Sequence, residues 1–413
     1  MRWEMNDVSR YMYEWNLDST SNLLNTRLED DSLRDGLQGA FVRKPTLAEK
    51  MELVKLSVEV GAQSIMLGFP AISEHELQEC RSLLVFIENN KLKTEAVFLA
   101  RSHIGDLKPI VDMHENVSET AEAAIYLGTS PLRRYVEKWN LADMLNKCKT
   151  ACDFMTLKKV PFSFSVEDAT RTPPKDLEKI VEIICQSDAI SIDICDTAGA
   201  STPDGAFRIV TFVKNLIEKS GRNMRVSWHG HNDRGLSVAN SIFAAKAGAT
   251  GISGSFLGIG ERTGNTPLEQ VAMYLHQMGS NLYQVDKIIP YCELLAKYTN
   301  TQIRPEAPII GSQAFATCTG THAAAVLKAR KLGIEFEDYI FSGVPASILG
   351  REQEIMIGPT SGMATSYHVL EKLGLSPSEE EARALLTFAK TRNQYLVSSE
   401  IKQFANCESQ QTA

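Results

Sequence analysis

This sequence lacks most of the marks of a specialised protein class. Lys and Arg never run longer than two in a row, as at Arg133-Arg134 and Lys158-Lys159, and the formal net charge is −8 over 413 residues. A phosphate-backbone binder needs a basic stripe, so nucleic acid is excluded as a main partner. Eight cysteines are scattered without a Cys-x-x-Cys, the nearest approach being Cys148 and Cys152. That excludes a disulfide framework and reads as reduced thiols in a cytoplasmic protein. No apolar run approaches 18 residues, and the N-terminus, with Glu4 and Asp7, has no signal core, so no membrane is expected. A Gly-rich phosphate turn after the first strand-like run is also missing. Its absence argues against a doubly wound dinucleotide fold.

What is present is an ordinary globular composition, 43% hydrophobic and 23% charged, long enough for a large core and a second module. Eight strand-like runs recur every 25–40 residues: 27–31, 64–67, 95–99, 123–127, 160–164, 189–194, 225–228 and 251–255. Helical periodicity fills the gaps at 47–60, 74–89, 132–155, 176–185, 203–219, 236–247 and 267–277, with a weaker pattern after the third strand. Eight β-then-α units in some 250 residues predict an α/β fold, a TIM (β/α)8 barrel, over 26–280. Residues 1–25 form an extension whose aromatics Trp3, Tyr11, Tyr13 and Trp15 suit packing on a neighbouring surface. Helical patterns at 288–298, 323–332, 365–373 and 378–391, with a last one capped by Ser398 or Ser399, make 281–407 a helical accessory module. Residues 408–413 form a polar tail.

The chemistry centres on Trp228-His229-Gly230-His231-Asn232-Asp233. Two imidazoles at i and i+2 on a strand share a side and can grip one metal ion. Alone, His-x-His also describes two polar residues at a strand end. In a TIM barrel, however, all strand ends meet on one rim. That gathers Arg34 and Asp35 from the first strand, Ser165 and Glu167 from the fifth, and Asp196 and Thr197 from the sixth. His229 and His231 come from the seventh, and Glu261 and Asn265 follow the eighth. Asp35, His229 and His231 suit a divalent ion with open positions, and Asn265 could add an amide oxygen. Arg34 beside a metal could stabilise a developing oxyanion; the alternative is a salt bridge within the barrel. For Asp35 the alternative is a turn residue before Gly36. His75, His103, His114, His276 and His368 read as surface or core residues.

Ser32-Leu33-Arg34-Asp35-Gly36-Leu37-Gln38, with His229-Gly230-His231-Asn232-Asp233 and Gly258-Ile259-Gly260-Glu261-Arg262-Thr263-Gly264-Asn265, resembles the DRE-TIM metallolyase superfamily. Within it, the chain is similar to the 2-isopropylmalate, homocitrate and citramalate synthases over about residues 27–405. Gly311-Ser312-Gln313-Ala314-Phe315 and Gly320-Thr321-His322 resemble their accessory subdomain. The resemblance implies a Claisen-type condensation of acetyl-CoA with a 2-oxo acid bound to zinc, manganese or magnesium. It implies Asp35, His229, His231 and Asn265 as metal ligands, and Arg34 polarising the keto group. Ser165 and Thr197 would contact substrate, and Glu167 would be a catalytic or substrate-binding acid. Glu261 and His322 would activate acetyl-CoA. Glu261 could instead only pair with Arg262 or Arg34, and His322 could be a loop histidine. A homodimer with exchanged helical modules is implied as well.

Three positions depart from the synthase pattern. Leu37 stands where Glu is usual, Met66 replaces an acid before Gly68-Phe69-Pro70, and Ala124 falls near a substrate-contacting His. All three predict a more apolar oxo-acid pocket. The RDGLQ form is closer to 3-hydroxy-3-methylglutaryl-CoA lyase, which runs the same bond chemistry in reverse and is the alternative reading. That enzyme's Gly/Cys-rich loop is absent, and the GIGERTGN block favours a synthase. With the chain ending at 413, feedback through a further C-terminal regulatory domain is not expected.

Overall fold

The computed structural model describes residues 7–13, 15 and 21–411. The chain divides into two compact units, Asp18–Gln302 and a second made of Met1–Leu17 with Ile303–Ala413.

In the first unit, eight parallel strands close into a barrel in sequence order. They are β1 (Arg27–Asp30), β2 (Ser64–Gly68), β3 (Glu95–Arg101), β4 (Ala121–Gly128), β5 (Phe162–Glu167), β6 (Ser191–Asp196), β7 (Arg225–Gly230) and β8 (Gly251–Gly254). The ring shuts where β1 pairs with β8 in the register Glu29 to Ser253. Alternation sorts each strand into two faces. Leu28, Ile65, Phe98, Phe162, Phe164, Ile192, Ile194 and Trp228 point outward, and each is fully buried beneath the helices. Burying each such side chain contributes on the order of 1.5–3 kcal/mol.

The helices are α1 (Leu47–Val60), α2 (Glu74–Asn89), α3 (Ile104–Asn116), α4 (Pro131–Glu137), α5 (Leu141–Lys158), α6 (Pro174–Cys185), α7 (Pro203–Lys219), α8 (Ser237–Lys246), α9 (Leu268–Gln277) and α10 (Ile288–Thr299). Their starts are written locally. Thr46 accepts from the Glu49 amide while Glu49 returns a bond to the Thr46 amide, and α1 stops where Gly61 turns left-handed at φ 109°. The single helix predicted over 132–155 is two. Lys138 takes a left-handed φ of 58°, and Asn140 with Asp143 forms a second capping box that restarts the chain as α5. The apolar periodicity runs through this break, which is why it reads as continuous. The weak pattern after β3 is a true helix despite Pro109 inside it.

Helix α10 belongs to the barrel unit. Outward-facing Asp30 accepts hydrogen bonds from Ser57 on α1 and Tyr291 on α10, each at 2.6 Å. In the second unit the helices are α11 (Gly320–Arg330), α12 (Ile334–Tyr339), α13 (Met363–Lys372), α14 (Glu379–Lys390) and α15 (Ser398–Gln411). A two-residue strand, Ala316–Thr317, pairs with Glu354–Ile355. The core of this unit gathers Ile357, Val369, Leu370, Leu385 and Leu396. Of the N-terminal aromatics, Trp3 lies outside the described residues. Tyr11, Tyr13 and Trp15 are exposed, with the Tyr11 ring centroid 6.0 Å from that of Phe336. No described helix is long and apolar enough to cross a membrane.

Candidate active site

The inner faces of the strands form a polar lumen. TIM barrels usually fill this space with branched apolar side chains. Here the inward positions lining the lumen include Ser64, Ser163, Ser191 and Ser253, and a cavity of about 430 Å³ remains. It reaches from Asp35, His229, His231 and Glu261 down to Glu29, Glu122, Asp193 and Arg225.

At the rim, β1 leads into a turn that presents Arg34 and Asp35, while β7 delivers His229 and, just past its end, His231. Asp35, His229 and His231 each offer one ligand atom, and these atoms lie within 4.8 Å of one another. Both imidazoles aim Nε2 at Asp35 Oδ2, at 3.7 Å from His229 and 3.9 Å from His231. His229 Nδ1 is 3.0 Å from Ser253 Oγ. A proton on Nδ1 shared with that hydroxyl would leave Nε2 as the free donor pair. Burial, reinforced by His231, pushes His229 down to about 3, and burial also lowers His231. Burial alone would raise Asp35, but Arg34 and the two histidines outweigh it and hold its carboxyl well below the usual range. Neutral imidazoles beside an ionised carboxylate are the donor state a divalent cation requires.

Asn265 approaches from the Gly258–Asn265 loop. Its Nδ2 donates to Asp35 Oδ1 at 3.1 Å and to the Ile259 carbonyl at 3.0 Å. Among the described residues, its Oδ1 is buried with no hydrogen-bond partner, as is Nδ1 of His231. An orphaned buried acceptor is costly unless something fills it, so the amide oxygen fits a cation as well. The loop depends on Gly264 at φ 87°, where a Cβ would meet the Gly258 carbonyl oxygen at 1.8 Å.

Arg34 is held between two carboxylates. Its Nη1 donates to Asp35 at 2.9 Å, its Nη2 to Asp31, and its Nε to Met66 Sδ at 3.0 Å. Asp31 is 1% exposed, and burial pushes its carboxyl up to about 8 against the pull of Arg34. Sequence reasoning gave Asp31 no role; the inward alternation through Arg27 and Glu29 to Asp31 was the signal available.

Of the other predicted residues, Ser165, Glu167, Thr197 and Glu261 all line the cavity. Ser165 donates to Asp193 at 2.8 Å. Glu167 lies 3.4 Å from Arg133, and burial raises its carboxyl. Thr197 Oγ1 accepts from the Asp168 amide at 2.9 Å. Glu261 is exposed and lies 3.7 Å from Arg262. Asp196, expected on the rim, turns away and accepts from Thr170 Oγ1 at 2.7 Å and the Ala200 amide at 3.0 Å. His322 belongs to the second unit, where it stacks on Phe341 at 4.1 Å. Met66 and Ala124 line the cavity, but Leu37 is buried outside it, so two of the three apolar departures shape the lumen. They join Val97, Leu99, Phe69 and Tyr126 in one apolar cluster on the β2–β4 wall.

The HMGL-like family profile matches residues 25–297. The 2-isopropylmalate synthase of Methylacidiphilum infernorum is 29% identical over 365 residues, covering 85% of this chain and 68% of its own. Homocitrate synthase AksA of Methanopyrus kandleri is 28% identical over 364 residues, covering 86% and 85%. Among solved structures, the hydroxymethylglutaryl-CoA lyase of Pseudomonas aeruginosa aligns with a TM-score of 0.56 at 18% identity, over 71% of this chain and 97% of that one. This last likeness speaks to the fold alone.

Proposed function

The chain belongs to the HMGL-like family, and on that premise we propose that it condenses acetyl-CoA with a 2-oxo acid, releasing CoA and a 2-hydroxy dicarboxylate. The observation that carries this reading is the Asp35, His229 and His231 cluster beside Arg34, at the mouth of one cavity with an apolar wall. Synthases with different oxo acids are similar to this chain at nearly equal identity, so the side chain accepted has to be argued from the cavity.

A divalent ion, zinc, manganese or magnesium, would be held by Nε2 of both histidines, the Asp35 carboxylate and Oδ1 of Asn265, and would supply Lewis acidity to the keto oxygen. Arg34, pinned by Asp31 and Asp35, keeps a fixed positive charge where the alkoxide develops. Thr197 offers its hydroxyl proton to the substrate carboxylate, Ser165 does so by turning its proton away from Asp193, and Glu167 is the acid on the opposite wall. We assign removal of the acetyl methyl proton to Glu261 working with His322. The new bond joins that methyl carbon to the keto carbon, the keto oxygen takes a proton, and water then cleaves the thioester to release CoA. The free cysteines among the described residues suit a reducing cytoplasm. A homodimer sharing His322 would register as twice the monomer mass in light scattering.

The test is thiol release from acetyl-CoA with 2-oxoisovalerate, pyruvate, oxaloacetate and 2-oxoglutarate, with and without added Zn2+, Mn2+ or Mg2+. The expected result is metal-dependent release that favours 2-oxoisovalerate over the two dicarboxylates. Acetyl-CoA production from a 3-hydroxyacyl-CoA, with silence towards every oxo acid, would establish the lyase instead.

A further inference from the structure

The cavity is deeper than the reaction needs. Below the rim, the β2–β4 wall carries the apolar cluster of Met66, Val97, Leu99 and Ala124, while Ser163, Asp193 and Ser253 line the other strands. Below that cluster the β2–β4 wall turns polar as well, at Ser64, Glu95 and Glu122. On β4, Glu122 lies two residues beneath Ala124, and on β7, Ser227 lies two beneath His229. At about 3.3 Å per strand residue, Glu122 lies about 6–7 Å below Ala124, and Arg225, four residues before His229, lies about 13 Å below the rim along β7.

The floor is a built polar surface. Arg225 Nη1 bonds Glu95 at 2.9 Å, and Arg27 Nη2 bonds the same carboxylate at 2.5 Å. Asp193 accepts from Ser191 at 2.9 Å and from Ser165 at 2.8 Å, while Glu29 accepts from Ser227 at 2.7 Å. Glu122 is different. It lines the cavity and is only 6% exposed, yet among the described residues it makes no hydrogen bond, and its nearest cation is Arg225 at 3.7 Å. A carboxyl facing a cavity with no hydrogen bond from the described residues leaves its oxygens free for a ligand group.

We infer that the cavity floor is a subsite for the distal end of the 2-oxo acid, and that it selects an apolar side chain ending in a neutral hydroxyl bonded by Glu122. This rests on the condensation reading above. Four carboxyls and two guanidiniums face the floor. Burial, with repulsion from Glu95, pushes Glu122 up to about 8, and burial pushes Glu29 up to about 7. At pH 7 a carboxyl at about 8 is mostly neutral and one at about 7 is half so, which brings the charge on the floor's acids closer to balance with Arg27 and Arg225. A terminal carboxylate or ammonium would bring an uncompensated charge into that balance at a desolvation cost. A hydroxyl can both give and take a hydrogen bond with a carboxyl in either state. The apolar β2–β4 wall offers a methylene chain or an aromatic ring a surface to pack on.

The experiment compares phenylpyruvate with 4-hydroxyphenylpyruvate, which differ only in the terminal hydroxyl, by kcat/KM for thiol release, with 2-oxoisovalerate in the same series. The expected result is a preference of at least tenfold for the hydroxylated acid. The preference should be lost or reversed in Glu122→Leu and kept in Glu122→Gln, which retains a hydrogen-bonding end. Equal rates for the two aryl acids, a preference for phenylpyruvate, or turnover of 2-oxoisovalerate with neither aryl acid would overturn the inference and leave the condensation standing. Release with no oxo acid at all would overturn the condensation itself.

Discussion

Replacing Arg34 by methionine removes one positive charge while keeping most of the side-chain volume. The guanidinium is 13% exposed and touches Asp31 and Asp35, which are 1% and 6% exposed at their side chains. Leaving a buried carboxylate without its cation costs about 3–5 kcal/mol. Asp31 is already pushed towards its protonated form by burial, so Asp35 is the group left stranded and the lower end applies. For a unit of this size, about 3 kcal/mol lowers Tm by roughly 5–10 °C. In the parent, Asp35 is held below its unfolded value, so its stabilisation is in place above about pH 4 and fades as pH falls through the folded value. Without Arg34 its folded value moves above the unfolded one. Its contribution is then present at low pH and lost as pH rises. The gap in Tm between parent and Arg34→Met should therefore widen from pH 5 to pH 8, as read by thermal melts of the metal-stripped protein. Turnover should fall by about 10²–10³, the size expected when a preorganised oxyanion donor is lost. Adding Asp31→Asn to the variant should leave turnover low. A variant that melts within a degree of the parent at all pH values and keeps turnover within threefold would show that Arg34 is neither buried between these acids nor facing the reaction.

Ser253→Ala removes the partner of His229 Nδ1 and should weaken divalent-metal binding by about 10–100-fold in calorimetry, with little change in Tm. Gly264→Ala forces a Cβ against the Gly258 carbonyl and displaces Asn265; metal affinity should fall there too, whereas Gly343→Ala, with open space around it and no left-handed backbone, should leave affinity unchanged. Met66→Glu brings a third carboxyl to Arg34 and should lower kcat/KM for 2-oxoisovalerate at least tenfold relative to the parent. Trp228→Ala empties a fully buried site between barrel and helices and should cost about 3–5 kcal/mol in denaturant melts, leaving the cavity lining intact.

The barrel was legible in the sequence because each of its parts is a local pattern. Runs of alternating or continuous apolar residues made eight strands, and Thr46, Ser73 and Thr202 capped helices where local chemistry put them. The two imidazoles were legible for the same reason, since a spacing of two on a strand fixes their common side. Parallel closure then brought Asp35, nearly two hundred residues earlier, to within 4 Å of both. What the sequence left open depends on which atoms face each other across the lumen. The break between α4 and α5 was hidden by periodicity that survives it. Asp196 sits at a strand end like Thr197 but faces the opposite way, because successive strand residues alternate. Leu37, Met66 and Ala124 looked equivalent as departures, yet only the last two enter the cavity. The roles of Asp31, Ser253 and Glu122 arise from inward positions on strands far apart in the chain. Local order of residues thus determined the strands, the helices and the common side of the two imidazoles. Only closure of the ring, which sets distance and burial, decided which carboxyl is ionised, which is orphaned and how deep a substrate can reach.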